Sequence, residues 1–519
     1  ELGWARSEEE LQEIWRKRVK NDALSLTLTE KSWEETSELL KQRYERLLRR
    51  VTQITSDDVF ETFMNSLAHT VDPHSSYLSP RNSEEYRIQM SLSYDGIGAS
   101  LQLEDDYVTV TNIIPGGPAY IDGQLKPADR ITAVGQGENG ALIDVIGWRL
   151  DEVVQLIRGP GGTVVHLQVL DAGAAPGTPE RALYLVRDQV KLEEQAAKSS
   201  MIEVPKGDAS YRVGVINVPS FYQDYAARSR GDEDYTSTTR DVARLIQELN
   251  EEGIDGLVVD LRQNGGGHLS EATELSGLFI DQGPVVQLRE TRGNIQVLDD
   301  PNPDSVYDGP LAVLVDRYSA SASEIFAAAI QDYKRGVIIG QQTFGKGSVQ
   351  NLFDLDRFMR GSGYGQLTLT IGKYYRITGE STQHRGVIPD ISLPSMVDAS
   401  IVGESTRDSA LPWDRIQQTS FRTDLNLDPY IRLLQARHTE RATEDPDYNH
   451  LVDNIEAAGF FRNQDEVSLN IDVRTAERED IQAQQLDREN ERRIALGLDP
   501  IDSMDELDAN EPTDVLLKQ

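Results

Sequence analysis

Cysteine is absent from all 519 residues, which excludes disulfides, thiolate zinc sites and any cysteine nucleophile. No apolar run in the sequence approaches the roughly 18 residues that a membrane span needs. Basic residues are scarce: 52 Lys and Arg stand against 87 Asp and Glu, for a net charge of −35. That balance argues against nucleic acid as a partner, because phosphate binding needs clustered Lys and Arg. It argues equally against adhesion to anionic lipid. The seven histidines include no HExxH pair, and no acidic run has the pattern of a calcium loop, so neither a metal nor a cofactor is expected. A chain of this length without cysteine suits an exported bacterial protein, and a start at Glu1 fits removal of a targeting segment.

What remains is a polar chain with enough apolar residues, 38%, for sizeable cores. Its length exceeds what one core serves, so several domains are expected. Residues 1–84 read as a helical N-terminal domain, with Leu11, Ile14 and Trp15 on one face and Leu39, Leu40, Leu47 and Leu48 continuing in a second helix. Thr29 and Ser32 mark a helix start, and the turn-rich stretch from Asp72 to Tyr77 ends the segment without visible chemistry. Residues 85–188 change to short strands separated by Gly and Pro turns, with one helix over Trp148 to Arg158. Residues 189–395 alternate strands with helices, which implies a mostly parallel covered sheet with sites at the strand C-terminal ends. Residues 396–519 form a helical C-terminal domain, in which Leu433, Leu434, Leu451, Val452 and Ile455 are expected to make a small core. The acid-rich end from Asp499 reads as frayed.

Two features of the α/β segment carry chemistry. The strand Gly256 to Leu261 ends in Arg262-Gln263-Asn264-Gly265-Gly266-Gly267, and the strand Leu311 to Asp316 ends in a turn holding Ser319, Ser321 and Ser323. Ser321-x-x-Glu324 is a capping box, and most such boxes only begin a helix. Here the helix start also stabilises an anion, and the Ala322 amide is placed to donate to an oxyanion. Lys346 stands between Gly345 and Gly347 in an apolar, hydroxylic stretch. Burial lowers a lysine's pKa, and the neutral amine then takes a proton from serine. Lys346, Ser348 and Gln350 alternate along a strand, so Gln350 reaches the amine. Asp332 follows Ser321 by about three helical turns and so shares its face.

In the second segment, Tyr94-Asp95-Gly96-Ile97-Gly98, Pro115-Gly116-Gly117-Pro118, Asp129-Arg130-Ile131 and Val134-Gly135 resemble a PDZ domain in order and spacing, although Ala128 stands where a glycine is usual. The resemblance implies that the loop Gly96, Ile97 and Gly98 holds a substrate carboxylate while an extended peptide adds as a strand. The chain as a whole resembles the tail-specific, or C-terminal processing, proteases in their long periplasmic form. The matching elements are Ser-Ala-Ser-Ala-Ser-Glu at 319–324, Phe-Gly-Lys-Gly at 344–347, Asp-Leu-Arg-x-Asn-Gly-Gly-Gly at 260–267 and Gly-Val-Ile-Pro-Asp at 386–390.

That resemblance implies a multidomain fold: an α/β serine protease core with an inserted PDZ domain and helical flanks. It implies Ser321 as nucleophile, Lys346 as general base and Gln350 as its orienting partner. Ala322 and one of Gly266 or Gly267 become the oxyanion donors, with Glu324, Asp332 and Thr343 in support. It further implies protein substrates with free nonpolar C-termini, a periplasmic location, possible association with the inner membrane and an adaptor lipoprotein. Two rivals compete with this reading. A non-catalytic PDZ scaffold is opposed by the intact Ser321, Lys346 and Gln350. A Ser-His-Asp esterase built on His268 lacks a Gly-x-Ser-x-Gly elbow.

Overall fold

The computed structural model describes residues 4–29, 31–175, 177–207, 209–300, 304–358, 361–423, 426–462, 464–507 and 514–518. The chain forms two compact units, one of residues 1–60, 393–398 and 428–519, the other of residues 61–392 and 399–427.

The second unit contains the α/β core. Its main sheet has the strand order Lys198–Lys206, Ala209–Asn217, Gly256–Asp260, Leu311–Val315, Val337–Gly340, Ile391–Ser392. The first pair is antiparallel and every later pair is parallel. Val259, Val313, Val315 and Ile338 are buried, as β-branched residues of a sheet covered on both faces should be. The helices Thr238–Glu252, Leu269–Gly277 and Ala322–Asp332 follow its strands. The last of these is buried from Ala322 to Ile330. Its alanines let it lie close to its neighbours, and Phe326 meets Phe279 edge-on at 5.7 Å, an arrangement that adds to the ~1.5–3 kcal/mol of burying each ring.

A second, antiparallel sheet is organised on the long strand Gln366–Tyr375. It pairs with Ser76–Leu78, Ser348–Asp354 and Pro284–Glu290. The third sheet, with strands between Ala99 and Val186, is antiparallel with Ala99–Glu104 on its edge, and it surrounds its own core of Val108, Ile131, Val134, Leu167 and Leu183. It enters and leaves the core through two strands that pair with each other, Ser93–Gly96 and Asp188–Lys191. Paired entry and exit points allow a folded module to be inserted into another.

The first unit is helical. Glu8–Thr27 is followed by Trp33–Thr52, which Ser32 and Glu35 begin with a reciprocal capping box. The expected apolar faces are only partly used: Leu40 is buried, whereas Leu11, Trp15, Leu47 and Leu48 are exposed. The C-terminal helices are Asp428–Glu444, Pro446–Arg462 and Ile471–Ala495. Leu451, Val452 and Ile455 are half-buried, but Leu433 and Leu434 are exposed, and the buried residues here include a glutamate, Glu489, bonded to Arg492. Ile501, in the stretch expected to fray, is buried, and Asn490 bonds both its N–H and its C=O. Of that acidic end, residues 508–513 and 519 lie outside the described residues. No helix among the described residues is long and apolar enough to cross a membrane.

Candidate active site

Three turns meet where the parallel strands end, after Asp260, Val315 and Gly340. The middle one carries the three serines. Asp316 Oδ1 accepts the amides of Gln263, Tyr318 and Ser319 at 2.9–3.0 Å, which fixes the turn. Ser319 donates its hydroxyl to the Leu261 carbonyl at 2.8 Å, and Ser323 donates to the Asn264 carbonyl at 2.9 Å. Both are fully buried. Ser321 differs from both: its hydroxyl makes no helix-capping bond, and its backbone has φ 56° and ψ −112°. A non-glycine residue there is strained by on the order of 1–3 kcal/mol and persists only when its surroundings hold it. The residues are placed as a capping box, but the bond that forms is the glutamate's half, from the Ser321 amide to Glu324 Oε2 at 2.8 Å.

The glycine turn lies against this serine. Asn264, fully buried, accepts the Gly266 amide at 2.9 Å and donates to the Val218 carbonyl at 2.7 Å. Gly266 has φ 103°, and a Cβ there would stand 2.8 Å from Ser321 Cβ and 3.0 Å from the Ala322 nitrogen. The backbone of the turn thus approaches as closely as only glycine permits. With the Gly266 amide taken by Asn264, the Gly267 and Ala322 amides are left without an acceptor among the described residues. The Ala322 amide is one of the four unpaired donors of a helix start.

Glu324 ties the serine turn to the lysine turn. Fully buried, it accepts Thr343 Oγ1 at 2.6 Å and the Gly345 amide at 2.7 Å on one oxygen. The other oxygen takes the amides of Ser321 and Lys346, at 2.8 and 2.9 Å. Burial outweighs the four donors, which fill both lone pairs of each oxygen and favour the ionised form, and on balance this carboxyl is raised to about 7. Tyr374, also buried, places its hydroxyl on the Lys346 carbonyl and 3.2 Å from the Ser321 carbonyl.

Lys346 donates from Nζ to Gln350 Oε1 at 2.6 Å and to the Ser348 carbonyl at 3.2 Å. Loss of hydration brings its pKa from 10.5 down to about 8, against the opposing pull of Glu404, Glu324 and Asp72. Gln350 Nε2 donates to Ser348 Oγ and to Thr370 Oγ1, both at 2.9 Å. The strand has a bulge between Val349 and Gln350, so simple alternation does not describe it, yet Lys346, Ser348 and Gln350 converge. Ser321 and Lys346 share no hydrogen bond in this structure. No histidine bonds Ser321 either: His268 precedes the helix Leu269–Gly277, with its Nε2 buried and without a partner among the described residues.

Thr343 meets the site through Glu324, whereas Asp332 does not meet it at all. It shares the helix with Ser321 but sits at the opposite end, roughly 16 Å along the axis, where it is ion-paired with Arg376. The face expected from periodicity is right and the distance along the helix is too great. Several contributors carry no signal in the sequence: Tyr374, Thr370, Asp72, Ser75 and the pair His74–Glu404, bonded at 2.7 Å.

In the inserted module, Gly98 has φ 74°, and a Cβ on it would lie 3.0 Å from Gly117 Cα. Ile97 and Gly98 accept from Ala119 and Ile114 through their carbonyls, and their own amides have no acceptor among the described residues. The edge strand Ala99–Glu104 and the helix Leu150–Ile157 flank this loop with Ala99, Leu101, Leu150 and Leu156 partly buried.

Family models match four successive segments: "Tail specific protease N-terminal domain" over residues 1–81, "PDZ domain" over 85–170, "Peptidase family S41" over 212–393 and "C-terminal domain of tail specific protease (DUF3340)" over 397–519. The chain is 40% identical to the Tail-specific protease of Haemophilus influenzae over 523 residues, covering 99% of this chain and 72% of that protein. It is 30% identical to the Carboxy-terminal processing protease CtpA of Bacillus subtilis over 355 residues, 68% of each. To the chloroplastic Carboxyl-terminal-processing peptidase 2 of Arabidopsis thaliana it is 29% identical over 402 residues, 75% of this chain and 70% of that one.

Proposed function

This chain belongs to the tail-specific proteases, serine-type peptidases of family S41 that carry a PDZ domain, and on that premise we propose that Ser321 and Lys346 are its catalytic dyad. The observation that carries the reading is the contrast among the three serines: two hydroxyls are buried on backbone carbonyls, and the strained third is uncommitted at a helix start.

A neutral lysine amine has two N–H bonds and one lone pair. Gln350 Oε1 and the Ser348 carbonyl take the two N–H bonds, which leaves the lone pair for the serine proton. On substrate binding the Ser321 hydroxyl turns to the amine; catalytic hydrogen bonds are often loose before that point. Oγ then bonds to the scissile carbonyl carbon while Nζ takes the proton, and the carbonyl oxygen becomes an anion held by the Gly267 and Ala322 amides. Collapse of the intermediate breaks the C–N bond, and the Lys346 ammonium protonates the leaving amine. Water, deprotonated by Lys346, releases the acyl group and restores Ser321.

The PDZ module supplies the substrate. Free amides at Ile97 and Gly98 bind a C-terminal carboxylate, and the nonpolar tail pairs with the edge strand Ala99–Glu104. Cleavage takes place in the periplasm, with an adaptor lipoprotein presenting some substrates; an alkaline phosphatase fusion that stays inactive in cells, as the reporter does when retained in the cytoplasm, would contradict this location. The dyad is tested on an unfolded protein with a nonpolar tail. Ser321→Ala and Lys346→Ala should reduce cleavage to near background, and undiminished cleavage by both would sink the mechanism. Amidating the substrate's C-terminus should raise KM more than it lowers kcat, and unchanged kinetics would remove the PDZ role.

A further inference from the structure

The lysine amine ends a chain of hydrogen bonds that begins almost three hundred residues earlier. Lys346 Nζ donates to Gln350 Oε1, Gln350 Nε2 donates to Thr370 Oγ1, and Thr370 Oγ1 donates to Asp72 Oδ2 at 2.5 Å. Ser75 donates its hydroxyl to the same Asp72 oxygen at 2.6 Å and accepts the Thr370 amide at 3.1 Å. The strand Ser76–Leu78 brings these residues there by pairing with Gln366–Tyr375 in the register Ser76 to Thr368. Asp72 is 6% exposed, and its other oxygen, Oδ1, is buried without a partner among the described residues.

A side-chain amide presents an acceptor on one side and donors on the other, and which way it faces is decided by its network. Ser348 Oγ and Thr370 Oγ1 do not decide it, because a hydroxyl both donates and accepts. An ionised carboxylate only accepts. Asp72 therefore draws the Thr370 proton toward itself, leaving the Thr370 oxygen to accept from Gln350 Nε2. We infer that Asp72 is a positioning residue for Lys346: acting through Thr370, it sets the polarity of the Gln350 amide so that the carbonyl oxygen faces the lysine amine.

The alternative orientation shows why this matters. With the Thr370 proton turned toward Gln350, the amide inverts and Nε2 donates to the lysine's lone pair. That is the lone pair the serine proton needs, so the base is blocked while every residue of the dyad remains in place. Placing a charge here is costly, since Oδ1 is buried and unbonded. A neutral side chain would hold the Ser75 and Thr370 hydroxyls at lower cost. What it would not do is impose one direction on the chain or offer a negative charge to the ammonium. Asp72 shares that second effect with Glu404 and Glu324, the other carboxylates acting on Lys346. Tyr374 also packs on this turn, and His74 is bonded to Glu404.

The inference rests on the Ser/Lys reading, and its test separates the two. Cleavage of a short unstructured peptide is followed from pH 5 to 10 for the full-length wild type and for Asp72→Asn, Thr370→Val, Thr370→Ser and Lys346→Ala, with active fraction set by thermal unfolding of each. Asp72→Asn removes one negative charge near the amine. The acid limb of kcat/KM should move to lower pH, and the plateau should fall about tenfold, the rate equivalent of one hydrogen bond. Thr370→Val breaks the chain but keeps the charge, so it should lower the plateau similarly and leave the limb close to wild type. Thr370→Ser restores the hydroxyl and should recover most of the rate. A purely structural Asp72 would change the active fraction and leave the limb where it was. A limb unmoved in Asp72→Asn, or a Thr370→Ser variant as impaired as Thr370→Val, overturns this inference alone. Retained cleavage by Lys346→Ala overturns the dyad, and the inference falls with it.

Discussion

The serine half and the lysine half of the site are built on different sheets and by different rules. The serine half grows from the C-terminal ends of adjacent parallel strands, within residues 260–267 and 316–324. Its contacts are largely backbone: Asn264 and Asp316 hold amides, and glycines let chains touch. The lysine half sits at the start of an antiparallel strand and is held by Gln350 of that strand and, through it, by side chains from far along the sequence, at 72, 75 and 370. Glu324 joins the two with four donors, one of them the serine's own amide. On the proposed reading, backbone turns give rigid placement of a nucleophile and its oxyanion donors, and a side-chain network gives a base whose proton affinity is adjustable.

Substitutions that affect the halves unequally test this contrast. The largest effect is expected from Lys346→Met, which should lower kcat by roughly 10²–10⁴-fold, the range for loss of a general base. The same change should stabilise the protein at pH 7. The folded-state value of about 8 lies below the unfolded 10.5, so protonated Lys346 opposes folding and stability rises as pH climbs from about 8 toward 10.5. Urea unfolding at pH 7 should show a gain of up to about 3 kcal/mol, since a tenfold change in proton affinity is worth about 1.4 kcal/mol. An unchanged or lowered midpoint would mean that the buried amine is well compensated.

Gly266→Ala comes next. Its methyl would press on Ser321 Cβ and the Ala322 amide, and kcat should fall roughly 10²–10³-fold with KM little changed, as when an oxyanion donor is lost. Near-normal kcat would show that the serine half tolerates displacement. The smallest effect is expected from Ser323→Ala. It removes one bond to the Asn264 carbonyl, costing about 1 kcal/mol in unfolding experiments, and kcat should stay within a few-fold of wild type. A loss comparable to Ser321→Ala would return Ser323 to candidacy.

The same contrast explains what could be read in the sequence. The serine half is contiguous, so the order of strand, glycine turn, serine turn and helix is visible in the residues, and so is the isolated Lys346. Periodicity alone left three hydroxyls open, because only the fold shows that the carbonyls of Leu261 and Asn264 occupy Ser319 and Ser323. Asp332 shows the opposite error: helical spacing gave its face correctly but could not say that Arg376 waits at the far end. Asp72 and Thr370 were not legible, since nothing local distinguishes a turn aspartate from one that a strand pairing carries to the active site. In the helical flank, leucines at helical spacing suggested a tighter core than Leu433 and Leu434 form.

The central claim is that a desolvated lysine is the base, and the pH dependence of kcat/KM on a short unstructured peptide tests it most directly. The free enzyme's titration governs that parameter. With Lys346 at about 8, the rate should climb about tenfold per pH unit through the acid range and level off near pH 8. A profile that levels off near pH 6.5, as a histidine base would give, or an acid limb that persists in Lys346→Met, would contradict the account.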